Sequence, residues 1–208
     1  MSASSLAPTS PPPPAHSALG HLRATAVFLV LAIFVAGVAY PLVLSGISEV
    51  INPGGASGSL LRDPNGTVVG SSLIAQNTSA PYLFWERPSM TDWNTTLGAN
   101  TTPGPSDPEL GALLNETIAY MNVAWNYSAN HTLPYWLVAP SASSVDPDLV
   151  PEAVLIQVPR VAAATNLSIA ALTDFVNAHI TNPVIPFIGV PYVNVLQLDI
   201  DLLAHLGK

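Results

Sequence analysis

From Ala24 to Ser48 the chain carries no charged residue. The stretch Ala24–Leu44 is 21 residues, roughly 31 Å of α-helix at about 1.5 Å per residue, against a hydrocarbon core of about 30 Å. Twelve of those residues are Val, Leu, Ile or Phe, and their insertion gains on the order of 5 kcal/mol. A core helix would show a polar face, and none is visible. The pattern therefore predicts a transmembrane anchor over residues 23–48. A cleaved signal peptide is the competing reading, with Arg23 as a short basic start and Gly37-Val38-Ala39 as the cleavage site. The apolar run continues through Tyr40-Pro41-Leu42-Val43-Leu44, longer than a usual leader core, which favours a retained anchor. Before it, residues 1–22 are rich in Ser, Ala and Pro, with Pro11–Pro14 in a row. Such a run has few donors and forms no core, so it reads as a disordered tail.

After the anchor, residues 49–208 change period. Gly54-Gly55-Ala56-Ser57-Gly58 reads as a flexible exit. Ser59–Arg62 and Thr67–Val69 flank Asp63-Pro64-Asn65-Gly66 and predict a hairpin. Pro81–Trp85 reads as a short aromatic strand and Asn94–Pro105 as a loop. Asp107-Pro108-Glu109 starts a helix, with an acidic cap, Pro in the first turn and an acid near the positive end. Leu110, Leu113, Leu114, Met121 and Trp125 share one face of it. Tyr135–Ala139 reads as a strand. Pro151–Val158 and Pro159–Thr165 read as two helical pieces, since Pro159 removes an internal bond. Ser168 caps a helix to Ala178, with Leu172, Phe175 and Val176 inward. Val193–Leu202 alternates, with Leu196, Leu198, Ile200 and Leu202 on one side and Gln197, Asp199 and Asp201 on the other, which predicts a half-buried strand. Short strands mixed with helices predict an α+β fold, a single mixed α/β domain behind one transmembrane helix.

Charge narrows the function. Only 9% of residues are charged, and five Lys and Arg stand against thirteen Asp and Glu. No basic stripe can be built, which excludes nucleic acid as a partner. The tail and the start of the anchor carry one Arg and no acid, whereas residues 46–208 carry a net −9. The positive-inside rule then puts the N-terminus in the cytoplasm and residues 49–208 outside the plasma membrane. Asn-x-Ser/Thr occurs at Asn65, Asn77, Asn94, Asn100, Asn115, Asn126, Asn130 and Asn166, an excess that supports exported, glycosylated positions. A polar, low-charge composition would generate some of these incidentally. Few bases, many sequons and a single Lys also suggest an acidic, glycosylating exterior of the kind found on some archaeal cells.

Catalytic signatures are missing. There is no cysteine, and Lys208 is the only lysine, so neither a thiolate nor a phosphate-binding Gly-Lys loop exists. His16, His21, His131, His179 and His205 are scattered without metal-ligand spacing. No Gly-x-Ser-x-Gly elbow occurs. Asp107 with Glu109, and Asp146 with Asp148, are carboxylate pairs that could serve as general acid and base. A helix start and a Pro-containing turn explain them better.

Several blocks in order resemble the C subunit of the Kdp potassium-transporting P-type ATPase. Gly37-Val38-Ala39-Tyr40-Pro41-Leu42 is similar to that family's Gly-x-x-Tyr-Pro-Leu, and Gly58-Ser59-Leu60-Leu61 to its Gly-Ser-Leu-Ile. Gly70-Ser71-Ser72-Leu73-Ile74-Ala75-Gln76-Asn77 resembles Gly-Ser-x-Leu-Ile-Gly-Gln-Asn. Arg87-Pro88-Ser89 matches Arg-Pro-Ser, and Ser106-Asp107-Pro108-Glu109-Leu110 matches Ser-Asn-Pro-Glu-Leu with one change. Ser141–Asp146, Gln157-Val158-Pro159-Arg160-Val161-Ala162 and the run from Ile188 to Leu196 through Asn194 complete the order. Departures are Ala75 for a Gly, Leu97–Pro105 for a Gly-rich stretch, and Trp85-Glu86 for His-Gly.

The resemblance implies a non-catalytic accessory subunit of a high-affinity, ATP-driven potassium uptake complex, not itself an enzyme. It would stabilise the assembly of a catalytic ATPase subunit and a potassium-translocating, channel-like subunit in the lipid bilayer. This chain has neither the Asp-Lys-Thr-Gly-Thr phosphorylation motif nor a Thr-Val-Gly-Tyr-Gly filter. An aid to ATP binding has been proposed for the family. A nucleotide acts in the cytoplasm, so ATP and potassium are expected to belong to the complex, with no cofactor on this chain. Interface or structural candidates are Gln76, Arg87, Pro88, Ser89, Asp107, Glu109, Asp146, Pro159, Arg160 and Asn194. The alternative is a free-standing exported surface or binding protein with a cleaved leader.

Overall fold

A computed structural model describes residues 18–63, 65–97, 103–127, 132–185 and 187–207. The tail before Ala18, the sequons at Asn100 and Asn130, His16, His131 and the middle of the expected 94–105 loop lie outside the described residues. The chain divides into two units, Met1–Ala56 and Ser57–Lys208.

In the first unit one helix runs over Ala18–Ile51. It comprises α1 (Ala18–Phe34), a π-helical turn (Val35–Ala39) and α2 (Tyr40–Ile51). Its 34 residues span about 51 Å, more than the ~30 Å of a hydrocarbon core. None of its residues is buried, and it is long and apolar enough to cross a membrane. The π turn has a local cause. Pro41 has no N–H to give to the carbonyl four residues back, and its ring would collide there. Widening the preceding turn, with the Tyr40 N–H reaching Val35 O, moves that carbonyl aside. The glycines after the helix were expected to be flexible. Instead Pro53–Ala56 forms one turn, α3, held by the Gly55 N–H donating to Asn52 Oδ1 at 3.0 Å.

The second unit is mixed helix and strand. β1 (Leu60–Arg62) and β2 (Val68–Ser71) form the expected antiparallel hairpin, with a bulge between Leu61 and Arg62. Asp63 Oδ1 closes its loop by accepting from the Asn65 and Thr67 N–H groups at 3.0 and 2.8 Å. Gly70 in β2 faces the Gln76 amide and Leu196, and a Cβ there would overlap both. α4 (Pro108–Ala124) starts at Asp107, whose side chain accepts from the Glu109 N–H at 2.9 Å. Leu110, Met121 and Trp125 on its inner face are buried. After Leu149, α6 (Pro151–Leu155), α7 (Val158–Thr165) and α8 (Ile169–Ala178) follow with short breaks. The first break falls at Ile156-Gln157, so that Pro159 sits in the first turn of α7, where its missing N–H costs nothing. Ser168 Oγ caps α8 by accepting from the Ala171 N–H at 3.1 Å.

Three sequence expectations fail. Tyr135–Ala139 is not a strand but one helical turn, α5 (Tyr135–Val138), closed by Ala139 N–H on Tyr135 O. Its β-branched and aromatic composition is overridden by the Pro134 entry and by burial of Leu137 and Val138. Val193–Leu202 is a strand only at β4 (Val193–Asn194), which pairs antiparallel with β3 (Asp148–Leu149). From Val195 it is helix α9 (Val195–His205). Burial reaches Val195, Leu196, Leu198, Asp199, Ile200 and Leu202, so the helix has no broad polar face and its polar residues fall on alternate positions by chance. Asn194 is the overlooked signal, since its Oδ1 caps the helix by accepting from the Gln197 N–H at 3.1 Å. Finally, Pro81–Trp85 is not a strand: it opens as a turn closed by the Leu83 N–H on Ala80 O, bends at Leu83, and pairs with no strand among the described residues. Around it, Phe84, Leu137, Val154, Val161, Leu172, Val176, Leu198 and Leu202 form the core.

Candidate functional site

The segment Pro81–Trp85 draws its hydrogen bonds from side chains in place of a neighbouring strand. Gln157, fully buried, accepts from the Trp85 N–H at 2.7 Å and donates to the Trp85 carbonyl at 2.9 Å. One amide side chain thus meets both backbone groups of a residue, as a ladder partner would. Asp199 on α9 accepts from the Phe84 N–H at 2.8 Å. Arg160 on α7 donates to the carbonyls of Pro81 at 2.7 Å and Leu83 at 2.8 Å, and to Gln157 Oε1 at 2.9 Å. Its guanidinium lies over the Trp125 ring at 4.9 Å and the Trp85 ring at 5.3 Å, a planar cation on aromatic faces.

Burial controls the charges here. It lowers the Arg160 pKa to about 10, against the raising influence of Tyr127 and Asp199. It pushes Asp199 well above the usual carboxylate range, although the Phe84 N–H and the Arg160 charge pull the other way. Asp199 Oδ2 is buried without a hydrogen-bond partner among the described residues, which suits a neutral acid.

Arg87 anchors the next stretch. Its Nε donates to the Ala139 carbonyl at 2.9 Å and a terminal nitrogen to the Pro140 carbonyl at 3.1 Å. It also pairs with Asp146 at 3.5 Å and faces the Trp136 ring at 5.7 Å. Ser89 Oγ accepts from the Thr91 and Trp93 N–H groups at 3.2 and 2.8 Å, and Pro88 lines an adjoining cavity. The Gln76 N–H donates to Glu86 Oε2 at 2.7 Å and its side chain donates to Val69 O at 2.8 Å. Asn194 ties three elements together, donating to Ser72 O at 2.8 Å and Asp148 Oδ1 at 3.0 Å while capping α9. Burial raises the Asp148 pKa above the usual range, offset in part by that Asn194 bond.

Gln76, Arg87, Pro88, Ser89, Asp146, Arg160 and Asn194 therefore gather around the segment from Gln76 to Trp93 and the elements packed on it. Asp107 and Glu109 stand apart at the start of α4, and Pro159 serves the start of α7. Sequence reasoning missed Gln157, Asp199, Glu86 and Trp93. Gln157 lies within a family-like block, and Glu86 was visible only as a departure from one. The described sequons at Asn65, Asn77, Asn94, Asn115, Asn126 and Asn166 are exposed. Asn126 and Asn166 also hold left-handed backbone, φ 56° and 60°, near the ends of α4 and α7, a conformation Asn tolerates well.

Comparison with known proteins gives the family. The model for KdpC, described as "K+-transporting ATPase, c chain", matches residues 22–204. The potassium-transporting ATPase KdpC subunit of Geobacter sulfurreducens is 36% identical over 184 residues, covering 87% of this chain and 96% of that protein. Its counterpart in Methanosphaerula palustris is 39% identical over 178 residues, covering 86% and 94%. That of Ralstonia nicotianae is 39% identical over 186 residues, covering 88% and 90%. With nearly all of its long apolar helix and of its mixed second unit inside the matched region, this chain belongs to the KdpC family of K+-transporting ATPase c chains.

Proposed function

We propose that the chain is a non-catalytic accessory subunit of an ATP-driven potassium uptake complex, holding together a catalytic ATPase subunit and a channel-like, potassium-translocating subunit. Family membership supports the potassium transport role. The observation that carries the assembly role is the loop after α8. Val184 is 100% exposed and Phe187 85%, and Ile185, Ile188 and Val190 stand beside them uncovered. A contiguous apolar patch on a soluble surface marks an interaction site, and a free-standing exported protein would be expected to cover it. The occupant is a partner subunit of the same complex.

The helix Ala18–Ile51 is the retained membrane anchor, with the N-terminus cytoplasmic and the second unit extracytoplasmic, as the one-sided acid excess suggests. Ala32, Ala36, Gly37 and Ala39 let a partner helix approach closely. Arg87 and Arg160 are structural, fixing the outer unit by carbonyl and aromatic contacts. The exposed sequons are glycosylation positions facing an acidic exterior. Full-length tagged chain, extracted in mild detergent, should bring down two large polytopic subunits. Recovery of the chain alone, or a mature terminus at Tyr40 by mass spectrometry, contradicts this reading.

A further inference from the structure

Beside the pinned segment lies a cavity of about 360 Å³, at the small end of ligand sites. Trp85 and Glu86 line it from the segment, Trp93 from the following loop, and Glu116, Thr117 and Tyr120 from α4. Glu86 is only 5% exposed. Its Oε2 is held by the Gln76 N–H, while its Oε1 is buried with no hydrogen-bond partner among the described residues. Trp93 Nε1 is in the same condition. Trp93 is placed by strained backbone, since Asp92 and Trp93 both lie in the left-handed region at φ 54° and 56°, each costing about 1 kcal/mol or more. Ser89 Oγ holds that loop.

The charged residues that line the cavity have one sign, and Arg160, which stacks on the Trp85 ring, is not among the lining residues. Its lining holds two carboxylates, Glu86 and Glu116, and no Lys, Arg or His. Asp199 from α9 and Asp146 and Asp148 from the β3 segment act on Glu86 electrostatically, each favouring its protonated form. No cationic side chain lines the cavity to hold an anion. A bare metal ion is not favoured, because the described residues hold no group of three or more His, Cys, Asp or Glu that could ligate one. We propose that this cavity binds a small organic ammonium ion, its N–H donating to Glu86 Oε1 and its carbon skeleton lying against Trp85, Trp93 and Tyr120. Aromatic faces and a buried carboxylate together are the chemistry that recognises such a cation.

Binding is an exchange of cations. Burial, and secondarily Asp199, Asp146 and Asp148, push the Glu86 pKa to about 8 against the lowering effect of the Gln76 N–H. At neutral pH the empty site therefore carries a proton on Glu86. The incoming ammonium ion displaces it: R–NH3+ and the neutral acid give the ammonium–carboxylate pair and one free H+. Affinity should rise about tenfold per pH unit below about 8 and level off above it. This site goes beyond the assembly role and does not depend on it. Glu86 stands where the family pattern has Gly, so the carboxylate belongs to this chain's own departure.

The test titrates full-length chain in detergent with n-butylammonium, and with 1-butanol as the uncharged probe, following tryptophan fluorescence and calorimetry from pH 6 to pH 9. Saturable ammonium binding at least tenfold tighter than butanol, tightening with pH and releasing about one proton near pH 7, is the expected result. Glu86→Gln should abolish the pH dependence and the preference for charge. Thr117→Phe, which fills the cavity and leaves Glu86 in place, should abolish binding and serves if Glu86→Gln does not fold. No saturable ammonium binding below about 10 mM, equal binding of both probes, or unchanged binding in Thr117→Phe overturns the proposal.

Discussion

Removing the Arg160 side chain strips donors from the carbonyls of Pro81 and Leu83 and from Gln157 Oε1, and opens the faces of Trp85 and Trp125. Each buried acceptor left without a donor costs about 1–3 kcal/mol, less where water can enter. Arg160→Ala should therefore lower unfolding free energy by about 2–4 kcal/mol in denaturant titrations. Arg160→Lys should recover little, because one ammonium cannot span three acceptors and stack on two rings. Wild-type stability in Arg160→Ala would show that the pinned segment is held by packing alone. Arg87 predicts a smaller loss, since its ion pair with the partly exposed Asp146 is weak and its two carbonyl bonds remain the main contribution.

At the scale of elements, the helix starts were the legible part. Asp107-Pro108-Glu109 and Ser168 announced α4 and α8 because a capping side chain acts within three residues, a range the sequence displays. The Asp63–Gly66 turn announced the hairpin for the same reason. What was illegible depended on distant partners. Pro81–Trp85 has strand composition, yet its partners are Gln157, Arg160 and Asp199, more than seventy residues away. The segment Val195–Leu202 looked like a strand because a helix buried almost all round loses its 3.6-residue polar stripe. The candidate site was half visible. Its arginines stood out by scarcity and by their motif blocks, whereas Gln157 and Asp199 look like ordinary surface residues until the fold buries them. Asn194 shows how one capping residue can also join elements. Asn194→Ala should cost about 1–3 kcal/mol, through the lost α9 cap and the lost bonds to Ser72 and Asp148. Asn194→Asp keeps the cap but donates to neither partner, so the two variants separate these contributions by thermal unfolding. Equal stability of wild type and Asn194→Ala would remove Asn194 from the account.

For the whole molecule, the buried acids set a pH dependence with an unusual sign. Glu86 is raised to about 8 from 4.5, and Asp148 and Asp199 are raised as well, in each case chiefly by burial. Folded chain therefore holds more protons than unfolded chain between about pH 4.5 and pH 8. Stability falls as pH rises through that window, by up to about 1.4 kcal/mol per unit for Glu86 alone, and the Glu86 loss is complete above about 8. The cost vanishes below about 4.5 for Glu86 and below about 3.8 for Asp148 and Asp199. All four tryptophans, Trp85, Trp93, Trp125 and Trp136, lie in the second unit, so their fluorescence during unfolding of the full chain reports this unit. Greater stability near pH 4.5 than near pH 8, with a shallower slope in Glu86→Gln, is expected and fits an acidic exterior. Loss of most stability at the acidic end would contradict both.

The assembly role makes one further demand on the molecule, at the loop after α8. A charge placed at an exposed apolar interface costs binding and leaves the fold alone, since Val184 and Phe187 make up its most exposed apolar surface. The deciding measurement is potassium-stimulated ATPase activity and subunit recovery from cells producing the complete complex with wild-type chain, with no chain, or with Val184→Asp/Phe187→Asp. Deletion is expected to abolish recovery of the intact complex. The double variant is expected to lower recovery and activity at least tenfold while its own unfolding curve stays within error of wild type. Full recovery and activity without the chain, or with the double variant, would contradict it.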